Sequence, residues 1–262
     1  MSSSQKLPFL ISIPHGGTRV PHEIVEEVCI TPGDLFDDSD AFTRDIFDAA
    51  NLVRKQLSAD VARAFVDLNR PADQLPPEYP DGVIKSETCW GKPVYNAGRN
   101  PSPEKIGTLL RGYYYPYHEA IRSSLSQPGI MLALDCHSMA EKAPPTAPDQ
   151  GNQRPLVNLG DLSGKACDPV LTDCLKNSFI KTLRCSPEEV VVNSPFKGGY
   201  ITRTYGNNPI PWIQVELNRS LYLSDRWFDR ENLSIRKLKE KVRDRYDYFI
   251  GQIAKGKKLK IP

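Results

Sequence analysis

Ile130-Met131-Leu132-Ala133-Leu134-Asp135-Cys136-His137-Ser138 is the stretch whose reading decides the fold. Its apolar run, with no polar alternation, fits a strand buried on both faces, as in a parallel sheet. The polar tetrapeptide that follows stands at the carboxyl end of that strand, where open α/β sheets bind ligands. A second segment has the same form: Phe9-Leu10-Ile11-Ser12-Ile13, then Pro14-His15-Gly16-Gly17. The chain has only 4 histidines, and two of them, His15 and His137, hold this position. Two scarce imidazoles at two strand ends point to a metal site more than to packing, and imidazole nitrogen suits zinc.

Working outward, apolar runs predict strands at residues 8–13, 61–68, 130–134, 156–159, 189–193 and 211–217. Helical spacing predicts helices over residues 39–57, 103–126, 168–184 and 224–251. This alternation implies a single α/β domain over residues 1–262. It should have three layers: a mostly parallel, mixed sheet with helices on both faces. Residues 72–102 are rich in proline, glycine and polar residues and predict a long excursion, a kind of loop that often carries function. Residues 141–154, also proline-rich, predict a flexible flap. The basic tail, residues 255–260, reads as a solvated terminus, and there is no internal repeat.

Composition narrows the function classes. The chain carries 34 basic and 32 acidic residues, for a formal net charge of +2, which gives no reason to expect nucleic acid or an anionic membrane as partner. No apolar run is long enough to span a bilayer, and the polar start Met1-Ser2-Ser3-Ser4-Gln5-Lys6 lacks a signal-peptide core, so a cytoplasmic location is expected. The 6 cysteines form no CxxC pair and read as reduced thiols, not as a disulfide scaffold or a structural zinc cluster.

Catalytic zinc sites typically use three protein ligands. The third candidate comes from Asp37-Asp38-Ser39-Asp40, whose ordinary role ahead of a helix would be N-capping. Asp40 is the chosen ligand, and His22-Glu23 is the competing source. His118, in Tyr113-Tyr114-Tyr115-Pro116-Tyr117-His118, reads as a packing residue. Asn69 and Arg70, in Asp67-Leu68-Asn69-Arg70, either grip a carboxylate or form an ordinary strand-end ion pair. Arg203 follows the diglycine Gly198-Gly199 and offers a second anion anchor. In Trp212-Ile213-Gln214-Val215-Glu216-Leu217-Asn218, the apolar alternates form one face. Gln214, Glu216 and Asn218 then share a polar face, and a buried Glu216 near a metal would serve as general base.

Taken together, the motifs resemble the N-formylglutamate amidohydrolase (N-formylglutamate deformylase) family. They are IPHGG at 13–17, DxDxxT at 38–43, DLNRP at 67–71, PYH at 116–118, DCHS at 135–138, FKGGYITRTYG at 196–206 and QVELNRSLY at 214–222. The resemblance implies kinship with zinc carboxypeptidases and aspartoacylases, and a phosphorylase/hydrolase-like, zinc carboxypeptidase-like fold. It implies His15 and His137 as zinc ligands, Asn69, Arg70 and Arg203 as carboxylate anchors, and Glu216 as base. Thr18 stands where those relatives carry the glutamate of an HxxE motif. The expected activity is zinc-dependent hydrolysis of a small N-acyl amino acid, first of all N-formyl-L-glutamate, with Arg63 or Asn69 assisting at the oxyanion. The alternatives are an aspartoacylase-like or carboxypeptidase-like hydrolase with another substrate, or a non-catalytic anion-binding homologue.

Overall fold

A computed structural model describes residues 6–223 and residue 240 of the chain. The helix expected at 224–251 and the basic tail lie outside the described residues, apart from residue 240. Six strands form one sheet in the order β2-β1-β3-β6-β4-β5. They are β1 (Leu7–Ile13), β2 (Val53–Ser58), β3 (Leu132–Met139), β4 (Val157–Gly160), β5 (Val190–Val192) and β6 (Trp212–Asn218). All neighbouring pairs are parallel except β4 with β6, so the sheet is mixed and mostly parallel.

The two faces of the sheet bury two different cores. Phe9, Ile11 and Ile13 of β1 meet Leu132, Leu134 and Cys136 of β3 and Ile213, Val215 and Leu217 of β6 on one face. Helix α2 (Thr43–Ile46) and helix α5 (Pro169–Leu183) cover that face through Ile46, Leu175 and Phe179. Leu10, Ala133 and Trp212 lie on the other face. There α4 (Tyr115–Leu125) contributes Tyr117 and Ile121, and α6 (Tyr200–Tyr205) contributes Ile201 and Tyr205. This is the three-layer arrangement that the continuous apolar runs imply. Local chemistry sets the helix ends. Asp168 caps α5 by accepting from the Val170 N–H at 2.8 Å, ahead of Pro169. Ser102 caps α3 (Pro103–Leu109), which passes through a π-helical stretch, Leu110–Tyr114, into α4.

Three expectations are corrected. The helix expected over 39–57 is only α2; Phe42 takes a left-handed conformation, and the chain from Val53 onward pairs with β1 instead. That strand is polar (Val53-Arg54-Lys55-Gln56-Leu57-Ser58) and lies at the sheet edge, where charged side chains are common. Residues 61–68 form no ladder; Val61, Phe65, Val66 and Leu68 are buried as turns within the second core. Finally, β3 does not stop before the polar tetrapeptide. It runs through His137 to Met139, because every residue from Ala133 onward pairs with β6. Residues 72–102 contain no helix or strand, as expected, and no helix among the described residues is long and apolar enough to cross a membrane.

The central strands carry the stability. Ile11→Ala, at a fully buried position between both neighbours of β1, is expected to cost about 2–5 kcal/mol, read by urea denaturation as a lower midpoint with an unchanged slope.

Candidate active site

The strands β1, β3 and β6 run parallel, so their carboxyl ends open on one side of the sheet. There a cavity of about 420 Å³ is lined by His15, Asp40, His137, Glu216, Arg70 and Arg203, among others. His137 and Glu216 are register partners, which puts their side chains next to each other on one face. His15 follows β1 by two residues. Gly17 lets this turn press against the backbone of Asp60 and Val61, where a Cβ would collide. Asp40 lies between α1 (Pro32–Asp38) and α2, and its N–H donates to the carbonyl of His15 at 3.1 Å. The acidic cluster therefore does not cap a helix, as its position suggested. It ends α1, and the residue at the start of α2 is Phe42.

These elements bring His15, Asp40 and His137 together, all nearly fully buried. The Nδ1 atoms of His15 and His137 are 3.2 Å apart. Asp40 Oδ2 lies 2.9 Å from His137 Nδ1 and 3.5 Å from His15 Nδ1. Zinc bonds of about 2.0–2.1 Å make a tetrahedron with edges of about 3.3 Å, so the triangle has the size this donor set needs. Both imidazoles are also held from behind. Asp67 Oδ1 lies 2.7 Å from His15 Nε2, and Asp135 Oδ2 lies 3.1 Å from His137 Nε2. The Asp67 hydrogen bond at the far nitrogen fixes the tautomer that turns His15 Nδ1 toward a metal, whereas Asp135 faces the far nitrogen of His137 as a charge without an aligned hydrogen bond. Asp135 is itself fixed by the Ser12 hydroxyl, which donates at 2.9 Å. The residues fit a divalent cation.

The charges agree with this geometry. Burial works against the Asp40 carboxylate, but the two imidazoles outweigh it and hold its pKa well below the usual range. The same balance holds Asp67 low, through His15 and Arg63. Glu216 goes the other way: burial, reinforced by Asp40, pushes it up to about 7 against the pull of His137 and Gln214. Gln214 Nε2 donates to Glu216 Oε1 at 2.7 Å, which orients the carboxyl group.

The expected anchors differ in their engagements. Arg203 is exposed at the cavity wall and has no acidic partner among the described residues. Arg70 also lines the cavity; Nε donates to the Asp81 carbonyl at 3.0 Å and Nη2 to Asp81 Oδ2 at 2.7 Å, leaving Nη1 open. Asn69 is more committed. Its Oδ1 accepts from the Ile201 N–H at 2.7 Å, and its Nδ2 lies 3.3 Å from His137 Nε2. It packs so closely on Gly199 that a Cβ there would collide with the amide. Arg63 lines the cavity and reaches Asp67 at 3.1 Å. Asn218 is not among the cavity-lining residues and donates to the carbonyl of Arg154, at the end of the proline-rich 141–154 segment. His22 is exposed, paired with Glu23, and is not among the residues lining the cavity. His118 is a buried packing residue, 2.9 Å from the Tyr205 hydroxyl and 3.0 Å from the Leu68 carbonyl.

The sequence reading missed Asp67 and Asp135 as partners of the histidines. It also missed Arg219, which donates to the carbonyls of Asp37 and Ser39 and so holds the Asp40 turn against β6. The signals for Arg219 were its place one residue past that strand and inside the QVELNRSLY motif.

Six of the seven motifs along the chain contribute residues to one cavity; PYH at 116–118 does not. A family model described as N-formylglutamate amidohydrolase matches residues 7–223. The chain belongs to the N-formylglutamate amidohydrolase family. An N-formylglutamate deformylase of Pseudomonas putida is 32% identical over 229 residues, covering 84% of this chain and 83% of that protein. Another, of Pseudomonas aeruginosa, is 32% identical over 232 residues, covering 84% of each. In fold, the chain is similar to a crystal structure of N-formylglutamate amidohydrolase from Ralstonia eutropha JMP134. The TM-score is 0.74 at 22% identity, over 95% of this chain and 96% of that one.

Proposed function

We propose that this member of the N-formylglutamate amidohydrolase family hydrolyses N-formyl-L-glutamate to L-glutamate and formate, using one zinc ion held by His15, Asp40 and His137. The observation that carries the reading is the triangle of donor atoms beside Glu216, in a cavity bordered by arginines. When bound, the cation supplies Lewis acidity to water and to the amide carbonyl. Glu216 takes a proton from the attacking water on Oε2, the oxygen that Gln214 leaves free, and returns it to the leaving nitrogen. A carboxyl group with a pKa near 7 suits both transfers. Arg63 is placed to face negative charge developing on the carbonyl oxygen. Arg203 and the open edge of Arg70 hold the substrate carboxylates, which orients the amide over Glu216.

A panel of N-formyl, N-acetyl and N-succinyl amino acids, assayed with zinc present, tests this. N-formylglutamate is expected to exceed N-formylglutamine in kcat/KM by about 10²-fold or more, because the amide cannot replace the charge in an arginine grip. Arg203→Met is expected to raise KM for N-formylglutamate about 10- to 100-fold with a smaller change in kcat. No turnover of any N-formyl amino acid sinks the function; equal use of the glutamate and glutamine substrates sinks the carboxylate grip.

A further inference from the structure

Lys85 lies in the 72–102 excursion, and no step above uses it. Its side chain is fully buried. Nζ lies 2.5 Å from Asp81 Oδ1, 3.5 Å from Asp38 Oδ2 and 3.7 Å from Asp67 Oδ2. None of these contacts is aligned as a hydrogen bond, so Lys85 acts here through its charge. Burying an ammonium group is costly unless opposite charges compensate. Burial and Arg63 both lower its pKa, yet the three carboxylates outweigh them and keep it charged.

Each of those carboxylates leads to a different part of the site. Asp67 supports His15 through Oδ1. Asp81 grips Arg70 with its carboxylate and its carbonyl, and its own pKa is lowered to about 2, with Lys85 as the main force against burial. Asp38 accepts from the Cys89 N–H at 3.0 Å, which ties the excursion to the end of α1, two residues before Asp40.

Resting on the function proposed above, we infer that Lys85 is a positioning residue for both halves of the site: through Asp67 it steadies the metal ligand His15, and through Asp81 it sets the substrate anchor Arg70. One buried charge then couples the orientation of the metal site to that of the carboxylate site. Without it, three carboxylates share Arg63 as the remaining buried cation beside them. Asp81, the only one of the three with substantial exposure, is the one free to turn outward and release Arg70.

The test measures binding, not turnover. Zinc affinity is read by competition with a chromogenic chelator, and L-glutamate affinity by calorimetry on the zinc-loaded protein. Lys85→Met is expected to weaken both about 10-fold or more, the scale seen when support behind a metal ligand is removed. Asp81→Asn is expected to weaken glutamate binding to a similar degree and zinc binding less than about 2-fold, since Asp81 does not touch the histidines. Because Lys85→Met can fail to fold, Lys85→Met/Asp38→Asn removes one carboxylate together with the cation. If Lys85 positions Asp67 and Asp81, the double variant still binds both ligands weakly. If the double variant binds both as the wild type does, Lys85 only balances charge and the inference is overturned. Wild-type glutamate affinity in Asp81→Asn also overturns it. A wild-type chain that binds zinc and glutamate but hydrolyses no N-formyl amino acid refutes the proposed function, while these constants still decide the role of Lys85.

Discussion

Replacing Glu216 by glutamine is expected to lower kcat about 10²- to 10⁴-fold, the range associated with loss of a general base. The change is nearly isosteric. The new side chain keeps an oxygen that can accept from Gln214, as Glu216 Oε1 does at 2.7 Å, so β6 and its pairing with β3 should survive. What disappears is the ability to take and return a proton at Oε2. Zinc affinity and glutamate affinity should stay within a few-fold of wild type, because Glu216 is neither a donor of the His15, Asp40 and His137 triangle nor an anchor. The effect should therefore fall on kcat and leave ligand binding largely intact, the pattern of an interaction made only in the transition state. Stopped-flow or steady-state assay of formate release reads it. Activity within 10-fold of wild type would move the base to another residue.

Glu216 was legible in the sequence because a strand that alternates apolar residues with Gln214, Glu216 and Asn218 declares which face is polar. His15 and His137 were legible for a related reason: scarce residues just after mostly apolar runs lie near the carboxyl ends of strands in a parallel sheet, although β3 continues through His137. Asp40 could be picked from its cluster, and it lies beside both imidazoles, although the cluster ends α1 and does not cap a helix. The supporting shell was not legible. Asp67 is 52 positions from His15, and Arg219 is 180 from Ser39, so only the folded chain shows that they meet. Lys85 and Asp81 lie in a segment without periodicity, where pattern reading has nothing to use. The one strand assignment that failed, at 61–68, did so for a comparable reason. Residues 61–68 are apolar because they fill the second core as turns, while the true second strand is polar because it lies at an edge. Apolar content reports burial, and burial does not by itself say which backbone groups pair.

Removing the metal is expected to abolish turnover, with a loss of about 10³-fold or more that one equivalent of zinc restores. The donor triangle explains why the dependence should be steep. Three atoms at mutual distances of 2.9, 3.2 and 3.5 Å match in number the protein share of a catalytic zinc site, so no donor would be in excess. Stability should follow the same linkage. A ligand at about 1,000 times its dissociation constant adds about 4 kcal/mol to the folded state, so the melting temperature should rise with free zinc. His137→Ala separates the two effects. It deletes one donor and also leaves Asp135 and Glu216 without the imidazole that faces them. Its melting temperature should no longer respond to micromolar zinc, and added zinc should not restore its activity. Inductively coupled plasma analysis of the purified wild type, set beside zinc titration of both melting curves, reads the outcome. A chelator-stripped enzyme with undiminished turnover, or a His137→Ala variant that responds to zinc as the wild type does, would refute His15, Asp40 and His137 as the ligands of a catalytic ion.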